Sequence, residues 1–282
     1  MAKYITKVSG ERELFNIEKF RRSLRRVHAS DAMINRLERE VIKRRDLRST
    51  KDIYQYALQF LKQEKPGIAA RYAIKRALLD LGPAGFPFEQ FIAELFKSQG
   101  YRVLLNQIRS GFCVSHELDI IAQKDHTQQL VECKFHNRQQ LKSDVQVILA
   151  VKARFDDLEK LFKRNLANNG VVYNAWVVTN TKFTSVAIQY GECAGVRLLG
   201  WGYPRRASLP QLIDRYKLYP VTTLTSLNRA QKAELIRQHC VLCREDCLNP
   251  QLLRRLGLNE QRIERVLQEA HDVCMNANAR AA

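Results

Sequence analysis

Apolar residues recur along this chain at two periods, and the switches between them divide it into three parts. Tyr4 to Val8 alternates, Ser9-Gly10 interrupts, and Glu13 to Phe15 returns, which predicts a short β-hairpin. The period then becomes helical. Ile17, Phe20, Leu24 and Val27 form one stripe, and Ser30 can cap a second helix carrying Met33, Leu37 and Val41. Ser49 or Thr50 can cap a third with Ile53, Ala57 and Phe60, and Gly67 to Leu81 makes a fourth. Gly-Pro-Ala-Gly-Phe-Pro at 82–87 ends this part as a breaker-rich linker.

The middle part mixes the two periods. FPFEQFIAELFKSQGYRV reads as an amphipathic helix with Phe88, Phe91, Ile92 and Leu95 on its inner face, stopped at Gly100 and followed by a strand. Val114 to Ala122 and Leu130 to Phe135 are short apolar runs separated by polar residues, as in two strands joined by a turn. A helix from Ser143 to Asn165, a strand from Asn174 to Thr179, a helix from Thr184 to Glu192 and a strand from Val196 to Trp201 follow. Such a succession predicts an α/β/α sandwich around a mixed sheet. After a linker from Tyr203-Pro204 to Pro210, the tail to Cys274 reads as all helical. Gly257 ends one tail helix and Asn259 caps the next, loosely similar to a helix-hairpin-helix DNA module. The expected organisation is therefore multidomain α/β, with boundaries at 1–81, 86–204 and 209–282.

Chemistry shows through in Ser115 to Asn137. Strand alternation puts Leu130, Glu132 and Lys134 on one face and Val131, Cys133 and Phe135 on the other, while Asp119 sits opposite Leu118 and Ile120 on the preceding strand. Two carboxylates and a lysine can converge. Asp119 and Glu132, with the Cys133 carbonyl, suit a hard divalent cation such as Mg2+, with Mn2+ as a substitute, and Lys134 could orient water or offset negative charge at a phosphodiester. The spacing D-x12-E-x-K alone equally fits charged residues on the wet face of a strand.

Charge and cysteine usage modify this picture. The net charge of +18 is uneven: residues 1–81 hold 20 basic against 10 acidic residues, more than half the excess. That favours polyphosphate partners, either DNA or a nucleotide. No window approaches a membrane span, and MAKYITKVSGERE has no signal-peptide core, so a cytoplasmic protein is expected. Seven cysteines, an odd count without an export signal, predict reduced thiols. Cys240, Cys243 and Cys247 could serve a metal with His239, His271 or Cys274. Their i, i+3, i+7 spacing also fits one buried helix face, and on that reading no stoichiometric zinc or iron is expected.

The order of helix, strand, Asp119 strand and Glu132-x-Lys134 strand resembles the PD-(D/E)xK nucleases, closest to the Mrr-type restriction endonucleases, over residues 86–204. No proline precedes Asp119. The resemblance implies a metal-dependent DNA endonuclease with catalytic Asp119, Glu132 and Lys134, supported by a glutamate early on the first helix. Glu89 matches that position, with Glu94 as the fallback. KYITKVSGERELFNIEKFRRSL, LRSTKDIYQYAL and IAARYAIKRAL together resemble the ATP-cone, a nucleotide-sensing module. It implies ATP or dATP as a regulator, bound through Lys7, Glu13, Lys19 and Thr50. Val8 stands where the family carries an arginine. A basic helical bundle that binds DNA backbone is the competing reading of these residues. No G-x-x-x-x-G-K-[ST] occurs, so a nucleotide would regulate and not fuel. The combined expectation is a nucleotide-regulated Mg2+-dependent endonuclease, able to form a homo-oligomer. The alternative is a non-catalytic, nucleotide-responsive DNA-binding regulator.

Overall fold

A computed structural model describes residues 3–7, 10–164, 170–244 and 247–275; Val8 and Ser9, in the predicted hairpin turn, lie outside them. The chain sorts into two compact units. One comprises Met1–Ile74, Thr223–Leu227 and Cys243–Ala282, the other Lys75–Thr222 and Asn228–Leu242.

In the first unit β1 (Tyr4–Thr6) pairs antiparallel with β2 (Arg12–Leu14), Ile5 opposite Glu13. Three capped helices follow. Asn16 accepts the Lys19 N–H at the start of α1 (Ile17–Arg25), and Ser30 accepts that of Met33 at the start of α2 (Asp31–Lys43). Ser49, not Thr50, caps α3 (Thr50–Glu64), in a reciprocal box with Asp52. Each cap satisfies an N–H that the first turn leaves without a partner, worth about 1 kcal/mol. The inner stripes, with Phe20, Leu24, Leu37, Val41, Ile53 and Phe60, close one core over Ile5. α1 stops two residues short of Val27, which still packs on that core. α4 spans Pro66–Leu79.

The second unit is built on a sheet ordered β3-β4-β5-β7-β9. After α5 (Phe86–Lys97), β3 (Arg102–Ser110), β4 (Ser115–Lys124) and β5 (Thr127–Lys134) run antiparallel. β6 (Lys142–Ser143) leads into α6 (Val145–Phe162), and β7 (Val172–Thr179) joins β5 in parallel. β8 (Lys182–Phe183) pairs with β6, and α7 (Ser185–Ala194) returns to β9 (Arg197–Leu199), parallel to β7. Alternation along β7 fixes the layers. Ala175 and Val177 pack with Ile148 and Val151 of α6 and Ala187 of α7, while Trp176 turns the other way to Phe96 of α5, ring centres 5.8 Å apart. This mixed sheet between helices is the predicted sandwich.

α8 (Leu209–Tyr216), a short 3-10 turn at Val221–Thr223, α9 (Arg229–Arg237), α10 (Pro250–Arg255) and α11 (Glu260–Met275) follow. In the first unit Gly67 lies against α11, where a Cβ would stand 2.6 Å from the Asp272 carbonyl oxygen, so only glycine fits.

One predicted helix is missing. α9 ends at Arg237, His239 takes a φ of 60°, and Cys240, Cys243 and Cys247 lie in irregular chain before α10. The backbone N–H of Val221 donates to Val241, and Pro220 bridges Leu242, so the chain around Cys240 is committed to extended pairing instead. Cys240 and Cys247 are each disulfide-bonded, which corrects the expectation of uniformly reduced thiols. No helix among the described residues is long and apolar enough to cross a membrane.

Candidate active site

β4 and β5 pair from Lys124 opposite Thr127 to Ile120 opposite Val131, where their ladder stops. Beyond that point β4 runs on with β3 alone, and β5 with β7 alone to Lys134 opposite Thr179. The sheet forks there, and Asp119 and Glu132 are the first residues of the two prongs. A fork leaves backbone donors without ladder partners. Asp119 answers one of them, its Oδ2 accepting the Cys133 N–H at 2.7 Å. The β3–β4 ladder skips the rung at Asp119 as well, where Asn106 takes a φ of 49°.

Alternation in β5 then sets the side chains. Leu130 packs against Leu158 and Phe155 of α6, so Glu132 faces α6 too and meets Arg154, Nη1 to Oε2, at 2.6 Å. Lys134 is next on that face and is exposed. Cys133 points away and is buried, and Phe135 reaches Phe88 of α5 at 5.8 Å between ring centres. Glu89 stands in the first turn of α5, just after Phe86-Pro87. Glu94 pairs instead with Lys97 at 2.7 Å.

Electrostatics binds these groups into one site. Burial lifts the Glu89 carboxyl to about 7, helped by repulsion from Asp119, Glu132 and Glu117. Asp119 is raised by burial, against the pull of the Cys133 N–H and Arg154. Glu132 is raised by burial and then by Asp119, against Arg154 and Lys134. The site is thus short of positive charge. Among the described residues no three His, Cys, Asp or Glu side chains form a ready-made cage. The oxygen donors of Asp119 and Glu132 nevertheless fit a hard cation of the Mg2+ type, which commonly takes one or two carboxylates and completes its shell with water.

Arg154 escaped the sequence reading. It lies three residues after Val151 and four before Leu158, both buried, so a charge inside the apolar stripe of α6 was the available signal. A second polar knot also needed the tertiary structure. Asp157 accepts the N–H of Cys113 at 2.8 Å and Nε2 of His116 at 2.8 Å, tying the β3–β4 turn to α6.

In the first unit Lys7 pairs with Glu13 at 2.7 Å and Glu11 at 3.0 Å, which raises its pKa, Glu13 contributing most. Thr50 donates to the Thr6 carbonyl at 3.3 Å and so stands at the same hairpin. Lys19 lies in the first turn of α1, where its backbone N–H donates to the Asn16 cap at 2.8 Å.

The restriction endonuclease family matches residues 84–200, and the family described as AF1548-like, C-terminal, matches residues 219–274. An uncharacterized protein of Archaeoglobus fulgidus is 33% identical over 183 residues, covering 64% of this chain and 99% of that relative. The crystal structure of AF1548, a protein of unknown function, superposes with a TM-score of 0.55 at 30% identity, over 68% of this chain and all of that one. Can2 of Sulfobacillus thermosulfidooxidans, solved with cyclic tetra-adenylate, is 14% identical with a TM-score of 0.33 over 46% of this chain and 35% of its own, too remote to bear on the assignment.

Proposed function

Because the chain belongs to the AF1548 family and carries a restriction endonuclease domain, we propose that it is an Mg2+-dependent DNA endonuclease regulated by ATP or dATP at its N-terminal hairpin and helices. The observation that supports this most directly is the fork. It sets Asp119 and Glu132 at the mouth of a split sheet, the carboxyls of both raised by burial.

Asp119, Glu132 and the Cys133 carbonyl would hold the cation. When bound, it would neutralise the scissile phosphate and acidify an attacking water. Lys134, on the Glu132 face and exposed, can orient that water and offset charge that grows on the phosphoryl oxygens. Glu89, with its carboxyl near 7, can hold or release a proton at neutral pH beside the two carboxylates.

Regulation rests on the hairpin. Lys7 is held cationic between Glu13 and Glu11, and an incoming polyphosphate would take it from those carboxylates. Lys19 is assigned to phosphate, and Glu13 and Thr50 to base, sugar or helix entry. These four roles follow the ATP-cone resemblance.

Gel assays on supercoiled, linear and branched DNA with Mg2+, with and without each nucleotide, test the proposal. Asp119→Ala, Glu132→Ala and Lys134→Ala should each lower cleavage by roughly a hundredfold or more while keeping most DNA affinity, which basic groups spread over the surface supply. Full cleavage by both carboxylate variants would remove the site. A wild-type chain that binds DNA and cuts nothing with Mg2+ or Mn2+ would instead be a regulator.

A further inference from the structure

Three lysines that the proposed chemistry leaves unused gather at the carboxyl ends of β5 and β7. Those strands run in parallel to the rung of Lys134 and Thr179, and just beyond it the two exits are tied together. The His136 N–H donates to Asn180 Oδ1, and the Asn180 side-chain amide donates to the His136 carbonyl, both at 2.8 Å. The two chains then pair again as β6 and β8, with Lys142 opposite Lys182. The third lysine is Lys75 in α4, whose ammonium lies 5.6 Å from the centre of the Trp201 ring. Trp201 is fixed beside β8 by its backbone N–H, which donates to the Thr181 carbonyl at 2.6 Å.

These charges work against one another. Ladder partners point to the same face of a sheet from strands about 5 Å apart, and like charges directly opposite are destabilising. Lys75 is half-buried, and burial followed by repulsion from Lys182 lowers its pKa. No carboxylate offsets the group. Among the described residues none of the three forms an ion pair, and neighbouring Asp144 turns its Oδ1 to the N–H groups of Gln146 and Val147 as the cap of α6. Lysines on exposed sheet edges can serve simply to prevent strand pairing, but that role requires no half-buried third ammonium beside them.

We propose that Lys75, Lys142 and Lys182 grip a backbone phosphate of DNA that flanks the scissile one, positioning the substrate without taking part in the chemistry. A shared anionic oxygen relieves the repulsion and accepts charge-assisted hydrogen bonds from the ammonium groups. The place suits a strand that also meets Lys134. Lys182 follows Thr179, the rung partner of Lys134, by three residues, a span of at most about 11 Å of chain. That the phosphate belongs to DNA rests on the endonuclease reading.

The test measures binding of a fluorescent duplex to the full chain by anisotropy, in EDTA and over a range of salt. Lys142→Gln/Lys182→Gln should bind on the order of tenfold more weakly at low salt, and its slope of log affinity against log salt should be shallower by about one. Lys97→Gln removes a lysine already paired with Glu94 and should bind as the wild type does. With Mg2+ present, the double variant should raise KM and keep kcat. Its thermal midpoint at low salt should equal or exceed that of the wild type, because a repulsion is gone. Wild-type affinity and slope in the double variant overturn the proposal, and so does a midpoint below the wild type's, which would make the lysines structural. Inorganic phosphate and ATP are titrated in parallel. If either loses affinity in the double variant while the duplex does not, the site takes a free phosphate compound and the DNA grip is wrong. A chain whose duplex binding depends on these lysines but which cuts no DNA keeps the grip and removes the endonuclease.

Discussion

Arg154 Nη1 lies 2.6 Å from Glu132 Oε2, so the long helix of the sandwich supplies the counter-charge to the second carboxylate of the fork. Both side chains are mostly buried, at 32% and 25% exposed, which makes the pair stronger than a surface bridge and weaker than a dry one.

Replacing that arginine should therefore expose the site's need for a cation. In Arg154→Met, Glu132 loses its nearest positive charge and its pKa climbs further. We expect a loss of roughly 1–3 kcal/mol at pH 8 without metal. Mg2+ should then raise the thermal midpoint more in the variant than in the wild type. Equal Mg2+ shifts in the two proteins would show that Arg154 and the cation do not share Glu132.

Glu89 gives a pH dependence with a definite sign. Its folded pKa, about 7, lies above the ordinary carboxylate value, so the folded state holds a proton that the unfolded chain has already lost. Stability should fall as pH rises from about 4.5 towards 7, and level off above. In Glu89→Gln this component vanishes, and the variant should melt higher than the wild type at pH 8 without metal. Denaturant midpoints across pH 4 to 8 measure it, and parallel wild-type and variant curves would contradict the assignment.

Asp157 carries the opposite sign. Burial pushes its carboxyl up, but His116 and the N–H groups of Cys113 and Val114 outweigh that and hold it at about 2. A depressed folded pKa gives stability that is present above the unfolded value near 3.8 and is lost as pH falls through 2. Asp157→Asn should be destabilised at pH 7 and converge on the wild type near pH 2. A constant gap over that range would mean that packing, not charge, ties the β3–β4 turn to α6.

At the N-terminal hairpin, Lys7→Ala should weaken ATP or dATP binding on the order of tenfold or more, since a charge-assisted hydrogen bond contributes ~1.5–3 kcal/mol. Nucleotide-free cleavage should change little. Calorimetry on the full chain checks this. A flat wild-type titration against both nucleotides would remove the sensor, and a salt-dependent loss of DNA affinity in the variant would make the domain a DNA clamp.

The local parts of this protein were legible in its sequence because backbone periodicity and capping are local properties. Alternation put Glu132 and Lys134 on one face of β5, and the Asn259 side-chain oxygen accepts the Arg262 N–H as its place before α11 suggests. The helices of the first unit announced themselves through Ser30, Ser49 and their apolar stripes. What no local pattern contains is which strands part company. The fork after Ile120 and Val131, the approach of Arg154 to Glu132, and the clamp at Asp157 depend on how distant apolar faces bury together. The cysteines mark the same limit from the other side. Their i, i+3, i+7 spacing permits a helix, but Val221 and Pro220 pair with the chain at Val241 and Leu242, and backbone groups engaged in extended pairing are not available to a helix.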